Sequence, residues 1–177
     1  MIAQPGFIQV YTGNGKGKTT AALGLALRAA GWGMRTYVAQ FLKKGESGEL
    51  LAVQRYLPEL IVIEQFGLPE FHHPENGVSI VEKKAAEAGM GAVQRAMAGG
   101  DYRIVVLDEI NTLLHFKIIT VEPVLRLLAE KPEELELILT GRYAPEAILA
   151  RADLITDMRE TRHYCQKKIP ARTGIEK

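Results

Sequence analysis

Short apolar runs alternate with longer amphipathic or alanine-rich segments along the whole chain. The apolar runs are rich in β-branched and aromatic residues and predict strands at 7–11, 35–41, 60–63, 102–109, 135–139 and 154–156. The segments between them predict helices at 19–30, 48–57, 79–97, 110–116, 121–130 and 143–150. Strands that alternate with helices favour a parallel sheet with helices on both faces. The pattern therefore predicts a three-layer α/β domain with a mostly parallel sheet of about six strands.

A glycine-rich segment separates the first predicted strand from the first predicted helix. It reads Gly13-Asn14-Gly15-Lys16-Gly17-Lys18-Thr19-Thr20. The order strand, glycine-rich loop, Lys-Thr and helix is the order of a P-loop, whose backbone N–H groups bind phosphate oxygens. Lys18 can reach the phosphates, and the Thr19 hydroxyl can bind Mg²⁺.

The loop departs from the general P-loop pattern at two positions. Thr12 stands where the first glycine is expected, and Lys16 is a second cation within the loop. A second lysine exceeds what one phosphate requires, so it indicates a ligand with a long polyphosphate. The alternative is a flexible basic turn with no ligand.

Candidate ligand-binding side chains also follow later strands. Asp108 and Glu109 end a buried apolar run, as in a Walker B element that holds Mg²⁺, although solvated acids at a strand end are the alternative. Arg142 follows the strand at 135–139 and could reach a phosphate at the same edge. The charged loop 43–49 is a binding element or an exposed connector. Arg28, the one charge in the first helix, is a phosphate ligand or a solvated side chain.

Composition narrows the class of protein. With 22 basic and 21 acidic side chains in 177 residues, the formal charge of +1 provides no bulk electrostatic case for binding nucleic acid or a membrane. The single cysteine, Cys165, cannot form an internal disulfide, which fits a reducing compartment. No signal-peptide pattern or membrane-length apolar run is present. We expect a soluble cytoplasmic protein of one domain, 1–177, in which 159–177 is a basic tail.

Several blocks together resemble one family, the P-loop type of ATP:corrinoid adenosyltransferase, which acts on cob(I)alamin or cob(I)yrinic acid a,c-diamide. The doubled Gly-Lys of the loop and the terminal Ala171-Arg172-Thr173-Gly174-Ile175-Glu176 are more specific than any Walker motif, and the family's P-loop also lacks the first glycine. The matching blocks span nearly the whole chain: 13–22, 25–31, 107–110, 139–142, 153–159, His163 and 170–176.

The resemblance implies a RecA-like α/β fold, a homodimer, ATP with Mg²⁺, a corrinoid as co-substrate and an external reductant. It implies transfer of the 5′-deoxyadenosyl group of ATP to Co(I), with release of triphosphate, in adenosylcobalamin biosynthesis or salvage. The nucleotide would lie in the loop in reverse, so that attack falls at the ribose C5′.

Because Co(I) is itself the nucleophile, the protein has to position C5′ and stabilise the leaving triphosphate. Lys18 and Glu109 are the predicted catalytic residues. The predicted magnesium ligands are Thr19 and Glu109, with Asp108 as a shared ligand or partner. The predicted ATP-binding residues are Gly13, Asn14, Gly15, Lys16, Gly17, Lys18, Thr19, Thr20, Arg28 and Arg142.

Two departures from the family bear on the corrin side of the site. The loop 67–73 replaces an aromatic family loop: Phe71 keeps one aromatic position, and His73 stands where a tryptophan is expected. Longer relatives also carry an N-terminal segment that helps to cover the site, so closure here would be looser or would come from another segment. We expect the tail, 159–177, to complete the site.

Two other functions use the same residues. A P-loop NTPase or small-molecule kinase would have the same loop and the same Asp-Glu pair. A regulatory module that binds ATP or a corrinoid without turnover would have them as well.

Overall fold

The computed structural model describes residues 4–69, 77–167 and 169–176. The strands are β1 Ile8–Thr12, β2 Thr36–Phe41, β3 Ile61–Phe66, β4 Ile104–Asp108, β5 Glu136–Thr140 and β6 Leu154–Asp157. The helices are α1 Lys18–Ala30, α2 Gly48–Tyr56, α3 Ile80–Ala98, α4 Ile110–His115, α5 Val121–Ala129 and α6 Glu146–Leu149, and a 3-10 helix follows at Tyr164–Lys167.

The six strands form one sheet in the order β3-β2-β4-β5-β1-β6, and every neighbouring pair is parallel. This confirms the predicted α/β architecture and its sheet of about six strands. Because parallel strands all end at the same edge, the segments that follow β1, β4 and β5 meet there. These are the segments that carry the P-loop, Glu109 and Arg142.

Helices cover both faces of the sheet. Val105 and Leu107 of β4 belong to a core formed with α3, α4 and α5, whereas Ile104 and Val106 belong to a core formed with α1 and α2. Successive strand residues point to opposite faces, so a strand buried on both sides is apolar throughout. This explains why β4 reads as an unbroken apolar run.

β3 is longer than its sequence predicts. The strand runs to Phe66 rather than ending at residue 63, and it pairs with β2 from Ile61 through Phe66. Glu64 and Gln65 interrupt the apolar pattern, and such polar residues predict that the strand ends before them. Both side chains form hydrogen bonds instead, to Tyr37 and Gln40 of β2 respectively. An edge strand accommodates such polar residues because one side of it has no neighbouring strand.

The helix ends follow the sequence with small differences. Ser79 caps α3 in a capping box with Glu82, whereas Thr120 is at the N-cap of α5 but its side chain makes no capping hydrogen bond. Among the described residues, none of the helices combines the length and apolar composition needed to cross a membrane.

Candidate nucleotide-binding site

The glycine-rich loop is packed tightly against the segment that follows β6. The Gly15 N–H donates to the Met158 carbonyl at 2.6 Å, and a Cβ at position 15 would lie 2.6 Å from the same oxygen. Gly17 is the N-cap of α1 and has φ 119°, a backbone conformation that residues other than glycine rarely adopt. The loop therefore takes its shape from its glycines and from its contact with the end of β6.

The Lys18 side chain is folded into the centre of this loop. Its Nζ donates to the carbonyl oxygens of Gly13 and Gly15, each at 2.7 Å, and the residue is 7% exposed. Burial lowers the pKa of Lys18, and the Glu109 carboxylate opposes that effect. The ammonium group is thus held at the loop, at the position expected of a phosphate ligand.

Asp108 connects the loop to the end of the sheet. Its Oδ1 accepts hydrogen bonds from the hydroxyls of Thr19 at 2.8 Å and Thr140 at 2.7 Å. Its Oδ2 accepts from the Gln40 amide at 3.3 Å. Burial raises the pKa of this carboxyl group, while the Thr140 hydrogen bond works in the other direction. The end of β4 is therefore joined to α1, β2 and β5 through one side chain.

Glu109 follows with a left-handed backbone conformation, φ 65°. Its N–H donates to the Thr140 hydroxyl at 2.9 Å, and its Oε2 accepts from the Thr112 hydroxyl at 2.5 Å. The Thr112 hydroxyl in turn accepts from the Arg142 N–H at 3.1 Å. The sharp turn at Glu109 directs the chain into α4 and leaves the Glu109 side chain beside the loop.

A cavity of about 640 Å³ opens next to the loop. Its lining residues come from the loop, α1, the segment after β2, the start of α2, the segments after β4 and β5, and the C-terminal tail: Gly15, Lys16, Gly17, Lys18, Thr19, Thr20, Leu23, Gly24, Leu27, Lys43, Gly48, Glu49, Glu109, Arg142, His163, Gly174, Ile175 and Glu176. The structure thus brings together the predicted loop residues 15–20, Glu109 and Arg142.

Other predicted residues lie elsewhere. Arg28 is exposed in the last turn of α1, outside the cavity lining, and it acts electrostatically on Tyr11. Asn14 is also exposed, and Asp108 lies behind the lining with 2% exposure. Phe71 and His73, the predicted corrin-facing residues, lie outside the described residues, as do parts of the predicted tail at 168 and 177.

Several lining residues were not identified individually from the sequence. Lys43 and Glu49 form an ion pair in the charged loop, which the sequence marked as a candidate binding element without assigning roles. Leu23 and Leu27 give the cavity an apolar wall, and Leu27 is 59% exposed. The sequence carries no signal for them, because their spacing in α1 equals that of core residues.

The oxygen atoms beside the loop fit Mg²⁺. Among the described residues, no group of three or more His, Cys, Asp or Glu side chains could hold a metal ion. Magnesium does not require such a cage, because it usually keeps several waters and binds one or two carboxylates together with substrate phosphates. Thr19 and Glu109 line the cavity beside the glycine-rich loop and carry oxygen atoms of the kind that Mg²⁺ prefers, and Asp108 accepts from the Thr19 hydroxyl behind them.

The parallel sheet, the glycine-rich loop and the buried Asp108 define a P-loop α/β nucleotide-binding protein. A KaiC-like protein from Pyrococcus horikoshii has a similar fold, with a TM-score of 0.58, 19% identity, and coverage of 89% of this chain and 74% of that one. The family model for ATP:corrinoid adenosyltransferases BtuR/CobO/CobP matches residues 4–176, so the chain belongs to that family.

Curated relatives agree with this assignment. The corrinoid adenosyltransferase of Pseudomonas aeruginosa is 32% identical, over 97% of this chain and 83% of its own length. The corrinoid adenosyltransferase CobA of Salmonella typhimurium is 33% identical, over 97% and 85%. An uncharacterized Nostoc protein is 39% identical over 97% of this chain. The chain spans about half of the length of that relative.

Proposed function

We propose that this protein transfers the 5′-deoxyadenosyl group of ATP to the Co(I) centre of a corrinoid and releases triphosphate. The observation that carries the proposal is the cavity itself. One wall is a phosphate-binding loop with Lys18 and Thr19, and another is the apolar surface of α1 at Leu23 and Leu27. Such a cavity can hold a polyphosphate at one end and a large apolar ring at the other. Membership of the corrinoid adenosyltransferase family supports the same activity.

The reaction is a single displacement at the ribose carbon. The Co(I) electron pair forms the bond to C5′, the bond between C5′ and the phosphate oxygen breaks, and triphosphate leaves with the electron pair of the broken bond. The protein has to align C5′ with cobalt and stabilise the charge on the leaving group. No side-chain nucleophile is required, because the reduced metal of the substrate supplies it.

The residues beside the loop have corresponding roles. Lys18, Lys16 and Arg142 provide positive charge around the triphosphate, together with loop N–H groups and the start of α1. Thr19 and Glu109 would hold Mg²⁺, with Asp108 as a shared ligand or as the partner that orients Thr19. When bound, Mg²⁺ neutralises phosphate charge and favours departure of the triphosphate.

The family also supports proposals about the orientation of the nucleotide, the corrinoid site, the oligomeric state, the compartment and the reductant. We infer a reversed nucleotide, with C5′ directed toward the corrinoid, a corrinoid site that includes Phe71 and His73, and a homodimeric cytoplasmic enzyme that depends on an external reductant. A phosphate contact of Arg28 rests on the sequence alone, since the residue is exposed in the last turn of α1 and lies outside the cavity lining.

Product analysis tests the proposed reaction. With Mg-ATP and a chemically reduced corrinoid, we expect inorganic triphosphate and a cobalt–carbon bond, detected by ion chromatography and by the visible spectrum. Lys18→Ala should abolish turnover, because it removes the buried ammonium group at the loop. Lys84→Ala is the matched control, since Lys84 is an exposed lysine of α3 outside the cavity lining. Release of ADP and phosphate at comparable rates would instead identify an NTPase or kinase.

A further inference from the structure

The C-terminal tail closes one side of the cavity through a small set of polar contacts. His163, Gly174, Ile175 and Glu176 line the cavity together with the loop. Lys16 joins the two sides: its Nζ donates to the Ile175 carbonyl at 3.3 Å and lies 3.8 Å from Glu176 Oε1. The second lysine of the loop is thus oriented by the tail.

The Glu176 carboxylate is itself held in place from within the tail. Its Oε2 accepts from the Arg172 backbone N–H at 2.9 Å and from Arg172 Nε at 3.1 Å. Its Oε1 accepts from Arg172 Nη2 at 2.7 Å. The Arg172 guanidinium also lies 5.0 Å from the ring centre of Tyr164. Two-point pairing of this kind gives a defined geometry as well as attraction.

The charges in this set differ in their exposure. The Glu176 side chain is 15% exposed, whereas the side chain of Lys16 is 46% exposed and that of Arg172 is 50% exposed. The hydrogen bonds from Arg172 hold the pKa of Glu176 at about 2, so the carboxylate is ionised at neutral pH. An unrestrained lysine side chain loses rotamer entropy when it is fixed on a ligand. A carboxylate that already restricts the lysine reduces that cost.

We propose that Glu176, braced by Arg172, is a positioning residue that holds Lys16 at the mouth of the cavity so that its ammonium group meets the outer phosphates of the nucleotide. The inference rests on the proposed nucleotide site and adds a role for the tail. Glu176 acts through Lys16, and its effect should therefore disappear when Lys16 is absent.

A double-mutant cycle tests this role. The dissociation constant of Mg-ATP is measured by calorimetry with the full chain, for wild type, Glu176→Gln, Lys16→Ala and the double variant. We expect Glu176→Gln to weaken binding about three- to tenfold, as the loss of a preset lysine rotamer implies. The double variant should bind no more weakly than Lys16→Ala, because coupled residues are not additive. Arg172→Gln should reproduce the effect of Glu176→Gln.

Steady-state kinetics provide a readout that a loss of folding would not mimic. We expect Glu176→Gln to raise the KM for ATP while kcat at saturating ATP stays within about twofold, as for a residue that contributes to binding rather than to the chemical step. Glu160→Gln is the matched control: Glu160 is another tail carboxylate, it accepts a hydrogen bond from Gln166 at 2.9 Å, and it lies outside the cavity lining. This control should bind ATP as wild type does.

Three results would overturn the proposal: unchanged or tighter ATP binding by Glu176→Gln, additive losses in the double variant, or equal losses for Glu160→Gln. Additive losses would indicate that Glu176 contacts the nucleotide directly. The titrations contain no corrinoid, so they test the effect of Glu176 on ATP binding separately from the proposed reaction. A wild-type protein that binds ATP but forms no cobalt–carbon bond would refute the proposed function and leave the cycle interpretable.

Discussion

Individual hydroxyl groups organise the end of the sheet beside the glycine-rich loop. Thr140 is fully buried, and its hydroxyl donates to Asp108 Oδ1 and accepts from the Glu109 N–H. One oxygen thus satisfies a buried carboxylate and the backbone N–H at a strained turn. Buried polar groups that lose such a partner cost more than the hydrogen bond contributes.

Replacing Thr140 should therefore affect both stability and the site. We expect Thr140→Val to lower the free energy of unfolding by about 1–3 kcal/mol, because it leaves the Glu109 N–H and one Asp108 hydrogen bond unsatisfied. Urea denaturation measures the loss. Thr140→Ser keeps the hydroxyl and should retain most of the stability. Equal stability of the valine and serine variants would show that packing, rather than the hydroxyl, determines the role of this position.

At the scale of elements, the loop depends on its contact with the chain that leaves β6. The Gly15 N–H reaches the Met158 carbonyl, and β6 pairs with β1 directly beside the loop. A strand at the edge of the sheet, with all four residues exposed, thereby supports the conformation of the loop. Its sequence, Leu154-Ile155-Thr156-Asp157, predicts a strand but does not indicate this supporting role.

A side chain at position 15 should disturb both elements. In Gly15→Ala, the new Cβ would lie 2.6 Å from the Met158 carbonyl oxygen and 2.8 Å from backbone atoms of Arg159, so the chain after β6 must move. We expect a loss of stability of about 1–3 kcal/mol and weaker ATP binding, measured by thermal denaturation and calorimetry.

Gly91→Ala is the control for a glycine-to-alanine change. Gly91 lies within α3, where the nearest atom to a new Cβ is the end of the Arg95 side chain at 3.4 Å. Alanine favours the helix by about 0.5–1 kcal/mol over glycine, so this variant should be as stable as wild type or more so. Wild-type ATP affinity in Gly15→Ala would contradict the proposed dependence of the loop on Met158.

At the scale of the whole molecule, the cavity collects residues from distant parts of the chain. Lys16 and Glu176 are near opposite ends of the sequence, and Glu109 and Arg142 follow two different strands. A ligand bound there contacts segments that are together only in the folded protein. Such a ligand stabilises the native state by a free energy that rises with the logarithm of the ligand concentration once this exceeds the dissociation constant.

ATP binding should therefore raise the melting temperature of the entire domain. At an ATP concentration about 100 times the dissociation constant, binding to the native state contributes about 2.7 kcal/mol. Differential scanning fluorimetry with and without Mg-ATP measures the shift. Lys18→Ala, which lacks the buried ammonium group, should show little shift at the same concentration. An equal shift in both proteins would contradict the role of Lys18 as a phosphate ligand.

Local patterns were sufficient for the architecture. A strand buried on both faces is apolar throughout, and a phosphate-binding turn requires glycines at fixed positions, so β4 and the loop before α1 are readable from a few residues. The charged pair at 108–109 could likewise be located at a strand end. The sequence by itself determined the α/β class, the parallel sheet, the loop and the family resemblance. Each of these depends on residues that are neighbours in the sequence.

Features that depend on contacts between distant segments were decided only by the tertiary structure. The Lys16–Glu176 pair, the Gly15–Met158 hydrogen bond and the exclusion of Arg28 from the cavity lining depend on how the sheet places separate segments. The extension of β3 to Gln65 also depends on such a contact. A polar residue at that position suggests that the strand has ended, whereas in the structure the Gln65 side chain donates to Gln40. A side chain carries no local record of a partner from another element, because only the folding of the intervening chain brings the two together.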